Sequence, residues 1–331
     1  MANRVTIRDV AKLADVSVAT VSAVINKNKY VSQELEQRVE QAIAQLSYKP
    51  NLVARSLKMQ ETKTIGLIFT NTTSPIWPPL VRTAQKIAQQ AGFDTFLVTT
   101  DEDVEREKKA LVSLLSKRVD GILIAPAISN DFEQIRQAAL VVPVIAIERR
   151  VSGVESFITN NEEVSYQAVK HLIQHGCRRV GLVTIPGCAS NTADRIAGYR
   201  RALFEHDLYD AELMREVDFV GDTAFDLALD LLSTTDIDAL FTTSQSTAMG
   251  ALRAANQLGR RIPQDLTLFG YDDVPWMEVV YSPLSTIRQP IEEIAREATQ
   301  VLLERVENGD SSDDAIHIIT SRVIIRHSCG C

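Results

Sequence analysis

The side chains best suited to holding a small molecule stand just after short apolar runs. Ser74, Ile76 and Trp77 follow TIGLIFT, Arg195 lies within PGCASNTADRIAGY after RVGLVTI, Phe219 closes EVDF, and Asp272 follows LTLFGY. An aromatic plate, a cation and a carboxylate suit a planar or hydroxyl-rich ligand, whose ring stacks on indole while fixed charges hydrogen-bond its polar rim. Catalysis is not spelled in the same way. There is no GxxxxGK[ST] phosphate loop, no GxGxxG turn, and no nucleophile with a base stands out. His171 and His175 are four apart, a metal-ligand spacing on a helix, but such a pair is more often simply a polar helix face. Cys177, Cys188, Cys329 and Cys331 lack the paired spacing of a zinc site, so the expectation is free thiols in a reducing cytoplasm, no metal, no cofactor and no catalytic residue.

Those residues need a frame whose strand ends converge. TIGLIFT, DTFLVTT, DGILIAP, VPVIAIE and SFITN are short β-rich runs with helix-like segments near 78–91, 104–118 and 131–140 between them. RVGLVTI, EVDFV, ALFTTS and LTLFGYD repeat the rhythm, with helices near 162–175, 193–206, 223–233 and 247–258. Strands that are apolar along their length imply sheets covered on both faces, hence an α/β core of two doubly wound parallel-sheet lobes. In such lobes ligands bind beyond the carboxyl ends of the strands, here in a cleft between the lobes. A last helix near 291–307 precedes IHIITSRVIIR, whose register the sequence leaves open.

The first sixty residues follow another pattern. Thr6 can cap a helix with Ile7, Val10, Ala11 and Ala14 on one face and Asp9 as capping-box partner. Asp15-Val16 makes a turn, and Ser17 caps a second helix in which Val21, Val24 and Ile25 face inward while Val18, Ala19, Ser22 and Ala23 share the outer side. Small outer residues let a helix backbone approach base edges, with Ser22 or Thr20 free to bond base or phosphate. A third helix runs from Ser32, its apolar face made by Leu35, Val39, Ile43 and Leu46. Tyr48-Lys49-Pro50-Asn51 ends the bundle, and LVARSLKM can form a short helix carrying Arg55, Lys58 and an outward Leu57, marginal on its own. Residues 1–60 hold nine Lys or Arg against five Asp or Glu, a net of +4, whereas the rest of the chain holds 26 against 38, a net of -12. A phosphate-binding surface therefore belongs to the small N-terminal part, and the acidic remainder would be repelled by DNA.

TIRDVAKLADVSVATVSAVIN followed by YKPNLVARSLK resembles the headpiece and hinge of the lactose-repressor (LacI) family of bacterial regulators, its purine-repressor branch in particular. GYDDVPWMEVVYSPLSTIRQP, DRIAGY and RVDGI are similar to family signatures too, so the likeness covers essentially the whole chain. It implies a helix–turn–helix headpiece over 1–49, a hinge helix over 50–60, and a periplasmic-binding-protein-like core over 61–331. The lobes would be about 61–160 with 291–320, and about 161–290 with 321–331. DNA contacts would come from Thr6, Ser17, Val18, Ala19, Thr20, Ser22, Ala23, Asn26, Tyr48, Asn51, Arg55, Leu57 and Lys58, with Leu57 wedged between base steps in the minor groove. Arg195 and Asp272 match the family's effector contacts, Trp77 and Phe219 its aromatic ones.

Departures qualify the likeness. Ala23 stands where many members carry a base-reading arginine or histidine. Ser244-Gln245 replaces a frequent Asn-Asp pair and Asn160-Asn161 replaces Asp-Asn, so Ser244 and Asn160 enter the effector site as amides or hydroxyls where carboxylates are common. That weakens the case for a free sugar; a sugar or sugar phosphate is still the first expectation, with a purine or nucleoside second. The reading is a DNA-binding regulator, a repressor by expectation, acting in the bacterial cytoplasm on the nucleoid as a homodimer, with a tetramer as the alternative, on a pseudo-palindromic operator. Two rivals are an α/β-lobed enzyme, which lacks its motifs, and a secreted solute-binding protein, which would carry an export signal in place of a basic headpiece.

Overall fold

The computed structural model describes residues 5–26, 29–48, 62–70, 74–217, 223–309 and 314–331. The chain forms two compact units that meet in sequence at Thr62 and Lys63. The hinge expected at 50–60, including Asn51, Arg55, Leu57 and Lys58, lies outside the described residues, as do Phe219 and the side chain of Asn26.

The first unit is built from α1 (Ile7–Ala14), α2 (Val18–Asn26) and α3 (Gln33–Leu46). Thr6 starts α1, its backbone N–H and its hydroxyl both donating to Asp9 Oδ2 at 2.8 and 2.7 Å. Asp15 stops it by taking a left-handed conformation at φ 49°, a region in which aspartate is tolerated better than most side chains. Arg38 of α3 donates to the carbonyls of Ala14 and Asp15 at 2.7 and 3.0 Å, satisfying the open end of α1. Ser17 caps α2, its Oγ accepting from Thr20 N at 3.0 Å. Val10, Ala14, Val21, Val24, Val39 and Ala42 form the buried core of this unit.

The second unit holds two six-stranded sheets. One has the order β11-β5-β4-β3-β1-β2 and the other β12-β10-β9-β8-β6-β7. In chain order the strands are β1 Thr64–Phe69, β2 Asp94–Thr99, β3 Gly121–Ile124, β4 Val144–Ile147, β5 Ser156–Thr159, β6 Val180–Thr184, β7 Met214–Glu216, β8 Ala239–Thr242, β9 Thr267–Tyr271, β10 Ser285–Arg288, β11 Ile316–Ile319 and β12 Arg322–Ile324. All neighbours pair in parallel except β10 and β12, which run antiparallel. The central strands β3, β4, β6, β8 and β9 are buried along their whole length, as strands covered on both faces must be. In the first lobe, helices Trp77–Gln90 and Ile291–Asn308 cover one face, and Val104–Ser116 with Glu133–Ala139 the other. In the second, Asn161–Gln174 and Ser190–Phe204 cover one face, and Thr223–Thr234 with Gln245–Gln257 the other.

The chain changes sheet three times, between β5 and β6, between β10 and β11, and between β11 and β12. Of the strand expected over EVDFV, Glu216 ends β7 at Met214–Glu216, which pairs in parallel with Leu182 to Thr184, and Val217 N donates to the carbonyl of Thr184 at 2.8 Å; residues 218–220 lie outside the described residues. SPLSTIRQP, read only as a signature, contains the strand β10, and IHIITSRVIIR divides into β11 and β12, one for each sheet.

Candidate functional site

Arg195 is the centre of the candidate ligand site. It lies in the second turn of helix Ser190–Phe204 and is 3% exposed. Its Nε donates to Asn161 Oδ1 at 2.8 Å and its Nη1 to the carbonyl of Thr243 at 2.8 Å. Its guanidinium lies 3.9 Å from the centroid of the Tyr271 ring, a cation–π distance. Tyr271 in turn donates its hydroxyl to Asn161 Oδ1 at 2.9 Å, and burial pushes that hydroxyl up to about 12, so it stays a neutral donor.

Such an array requires helices Asn161–Gln174 and Ser190–Phe204 to touch. Gly198 permits it, because a Cβ there would stand 2.2 Å from the carbonyl oxygen of Glu162 and 2.8 Å from the nitrogen of Tyr166. The glycine of DRIAGY therefore sets the distance between the helix that carries Asn161 and the helix that carries Arg195.

The first lobe answers with Glu148, which follows β4 in a left-handed conformation at φ 68°. Glu148 Oε2 accepts from Asn191 Nδ2 at 3.1 Å and lies 3.7 Å from Arg195 Nη2. Burial drives the Glu148 carboxyl upward in pKa, with Arg195 opposing and Asp272 adding to the rise. Among the described residues, Glu148 Oε1, Arg195 Nη2 and Thr192 Oγ1 are sealed from solvent and have no hydrogen-bond partner. An acceptor and a cationic donor thus lie unused where the lobes meet, and a hydroxyl three residues before Arg195 on the same helix is unpaired too. Leaving such groups unpaired costs about 1–3 kcal/mol each, so a ligand that pairs them gains accordingly. A second link crosses the lobes beside them: Arg150 donates through Nη2 to Asp194 at 2.8 Å and through its backbone nitrogen to Ser190 Oγ at 2.9 Å.

The other expected ligand contacts fall into different roles. Asp272, at φ 83°, spends Oδ2 on the backbone nitrogen of Gln245 at 2.9 Å and Oδ1 on Gln289 Nε2 at 2.8 Å. Gln289 also meets Thr159 at 3.5 Å, and Asn160 Oδ1 accepts from the nitrogen of Ser321 at 2.7 Å. Asp272 and Asn160 are therefore tied into the lobe crossings. Ser244 caps helix Gln245–Gln257, its Oγ accepting from Thr247 N at 3.2 Å. Ile76 packs against hydrophobic clusters of both lobes, whereas Ser74 is half-buried and gives its carbonyl to Trp77 N.

Trp77 differs from the expected plate. It is 6% exposed, its ring is tilted on Phe69 at a centroid distance of 5.4 Å, and it belongs to the core of the first lobe. It also lines a cavity of about 230 Å³ with Val81, Gln85, Leu97 and Thr99, and no residue of the Arg195 array borders that space. As first residue of its helix over a covered sheet, its ring takes the apolar side. Asn161, Glu148, Asn191 and Thr192 were missed. Glu148 ends the VPVIAIE run, so the same strand-end rule that selected Asp272 would have found it; Asn191 and Thr192 carried no pattern.

The headpiece shows which side chains α2 offers. Ser17, Val18 and Ala19 are exposed and Thr20 and Ser22 half-buried, as is Tyr48, which packs on the headpiece core, while Thr6 is exposed at the start of α1. Ala23 corrects the expectation of an outer position, since it is 8% exposed.

Residues 6–51 match the family described as "Bacterial regulatory proteins, lacI family", and residues 62–327 match "Periplasmic binding proteins and sugar binding domain of LacI family". The chain is 34% identical to a ribose operon repressor of Halalkalibacterium halodurans, covering 98% of this chain and 96% of that one. It is 34% identical to the HTH-type transcriptional repressor PurR of Aliivibrio salmonicida over 92% of each. Its structure is similar to the lac repressor dimer bound to operator and the anti-inducer ONPF, with TM-score 0.86, 26% identity and 99% of each chain covered. A helix–turn–helix unit and a two-lobed parallel-sheet core define the class of DNA-binding regulator with an effector-binding domain. The chain belongs to the LacI family of bacterial regulatory proteins.

Proposed function

We propose that this regulator binds a pseudo-palindromic operator as a homodimer and represses transcription in the cytoplasm, and that a sugar or sugar phosphate in the interlobe cleft sets its DNA affinity. The observation that carries the effector reading is the unused Glu148 Oε1, Arg195 Nη2 and Thr192 Oγ1 group. Adjacent acceptor and donor atoms match vicinal hydroxyls, each of which donates and accepts. Glu148 also supplies the carboxylate that Asn160 and Ser244 do not. The name of the ribose operon repressor points the same way. A purine or nucleoside is the second reading, supported by equal identity to PurR.

Dimerisation has support in apolar surface. The edge strand β2 leaves Phe96 and Leu97 exposed beside the Trp77 cavity, and the second lobe exposes Val279 and Tyr281 fully or nearly so. Large exposed apolar side chains grouped in this way mark interaction faces. Leu97→Glu should shift the protein toward monomer in sedimentation analysis. An unchanged dimer would move the interface elsewhere. Among the described residues no helix is long and apolar enough to cross a membrane.

The effector is tested by thermal shift of the full chain against sugars, sugar phosphates, purines and nucleosides. Binding to the folded state raises the melting temperature with ligand concentration. Stabilisation by purines alone would replace the sugar reading by the second one.

A further inference from the structure

The sequence reading expects no metal in this chain, because its histidine pair reads as a polar helix face and its four cysteines lack the paired spacing of a zinc site. Folding joins them. His171 and His175 lie at the carboxyl end of helix Asn161–Gln174, and the turn His327–Cys329 brings Cys329 and Cys331 against them, although His171 and Cys329 are 158 residues apart. His171 Nε2 is 3.1 Å from Cys331 Sγ and 3.4 Å from Cys329 Sγ, and the two sulfurs are 2.9 Å apart. The ligand atoms of His171, His175 and Cys331 all lie within 4.8 Å of one another.

The geometry points to a tetrahedral site for one zinc-class divalent cation, ligated by His171, His175, Cys329 and Cys331. Two thiolates and two imidazoles are a recurrent zinc set, and bonds of about 2.3 Å to sulfur and 2.0 Å to nitrogen separate the ligand atoms by roughly 3.3–3.8 Å. Cys329 lies outside the group of His171, His175 and Cys331, near His171 and Cys331 but not His175, so to complete the set the sulfurs have to part by under about 1 Å and His175 and Cys329 have to draw together. The surroundings hold the ligands in place. His175 Nδ1 faces the carbonyl of His171 at 2.8 Å, a group that only accepts, so Nδ1 carries the proton and Nε2 keeps its lone pair for a metal.

The turn bearing the cysteines is pinned by the buried Ser328, which donates to the carbonyl of Leu268 at 2.6 Å and accepts from Ser285 N at 2.8 Å. Gly330, at φ 81°, folds Cys331 back over Cys329. The negative end of the helix dipole adds a field that favours a cation. Thiols ligate zinc as thiolates, so metal binding must release protons. The site is separate from the cleft: Asn161 begins the helix whose last turn carries His171, ten residues or about 15 Å away.

Reduced, chelator-stripped full chain titrated with Co²⁺ tests the site. The expected result is saturation at one equivalent per chain, with thiolate-to-cobalt charge-transfer absorption, tetrahedral visible bands and displacement by Zn²⁺. Cys331→Ser and His175→Ala alter exposed side chains, so the fold should survive. Each should lower Co²⁺ affinity by about tenfold or more, and Cys331→Ser should also weaken the charge-transfer band. Cys188→Ser, in the loop after β6, should change neither. No charge-transfer band in the wild type at one equivalent overturns the site. Wild-type affinity in both variants, or an equal loss in Cys188→Ser, does the same.

Discussion

The two lobes share one strand order yet divide the work unequally. The second lobe holds a finished polar array, in which Asn161, Thr243 and Tyr271 fix three sides of Arg195 before any ligand arrives. The first lobe contributes Glu148 and Arg150 across the gap. It also carries an unfinished apolar edge at β2 and Trp77. On the proposed function, the second lobe recognises the effector and the first closes over it and joins a partner. A ligand that spans Arg195 and Glu148 favours the closed arrangement only by the difference in its contacts between the two states, and that difference is all it has with which to change DNA affinity.

The comparison breaks most completely at Gly198. Gly198→Ala drives a methyl into the backbone of Glu162 and Tyr166, neither of which can move without separating the helices. Loss of about 3 kcal/mol or more is expected in urea unfolding, the upper end for overpacking, and the second lobe should fail first. An unfolding free energy within about 0.5 kcal/mol of wild type would show that the helix contact does not frame Arg195.

Arg195→Ala leaves Glu148 buried with its strongest cationic neighbour gone and only Arg149 still acting on it. Stability should fall by on the order of 3 kcal/mol, the cost of breaking a buried pair, and effector affinity by roughly 1.5–3 kcal/mol. Glu148→Gln removes the charge along with its need for a partner. It should keep most of the stability and lose effector affinity. Equal thermal unfolding of the two variants would mean that the arginine is not held by the array described.

The first lobe has its own titration. Burial pushes the carboxyl of Glu107 up from 4.5 to about 7, opposed by a hydrogen bond from Ala127 N and by Arg149. Its folded pKa is raised, so its contribution to stability is complete below about 4.5 and is lost as pH rises to about 7. The loss is at most on the order of 3 kcal/mol. Glu107→Gln should flatten the fall in melting temperature across that window. A slope unchanged by the substitution would assign it to another group.

Arg150→Ala should have the smallest effect. Its pair with Asp194 is partly exposed, so stability should change by less than about 1 kcal/mol. Because the pair crosses the lobes, effector affinity should change more than unfolding does. The reverse order would make it an ordinary surface ion pair.

Much of this was legible in the sequence because the relevant forces are local. Caps at Thr6 and Ser17 follow from side chains competing for free backbone donors, and buried strands such as β3 and β4 read as unbroken apolar runs. Arg195 could be found from its position alone, at the start of a helix after a strand. Its partners were hidden because they depend on which helices touch. Gly198 reads as a weak helix residue until the backbone of Glu162 is seen against it. Asp272 and Asn160 read as ligand contacts since they end strands; that their oxygens also serve the lobe crossings depends on which segments meet. That Trp77 packs into the first lobe's core could not be read, because the strand-end rule does not say which way a ring turns.

The most direct measurement of the account is operator affinity as a function of effector. Duplexes recovered by selection from random DNA supply the operator, and fluorescence anisotropy at fixed salt reads binding of wild type and Arg195→Ala with and without each sugar, sugar phosphate, purine and nucleoside. The account predicts that one class changes wild-type affinity by roughly 5- to 150-fold, the usual span of coupling between two sites, and leaves Arg195→Ala unmoved. An equal change in Arg195→Ala, or no ligand response at all with a folded wild type on its selected operator, would contradict it.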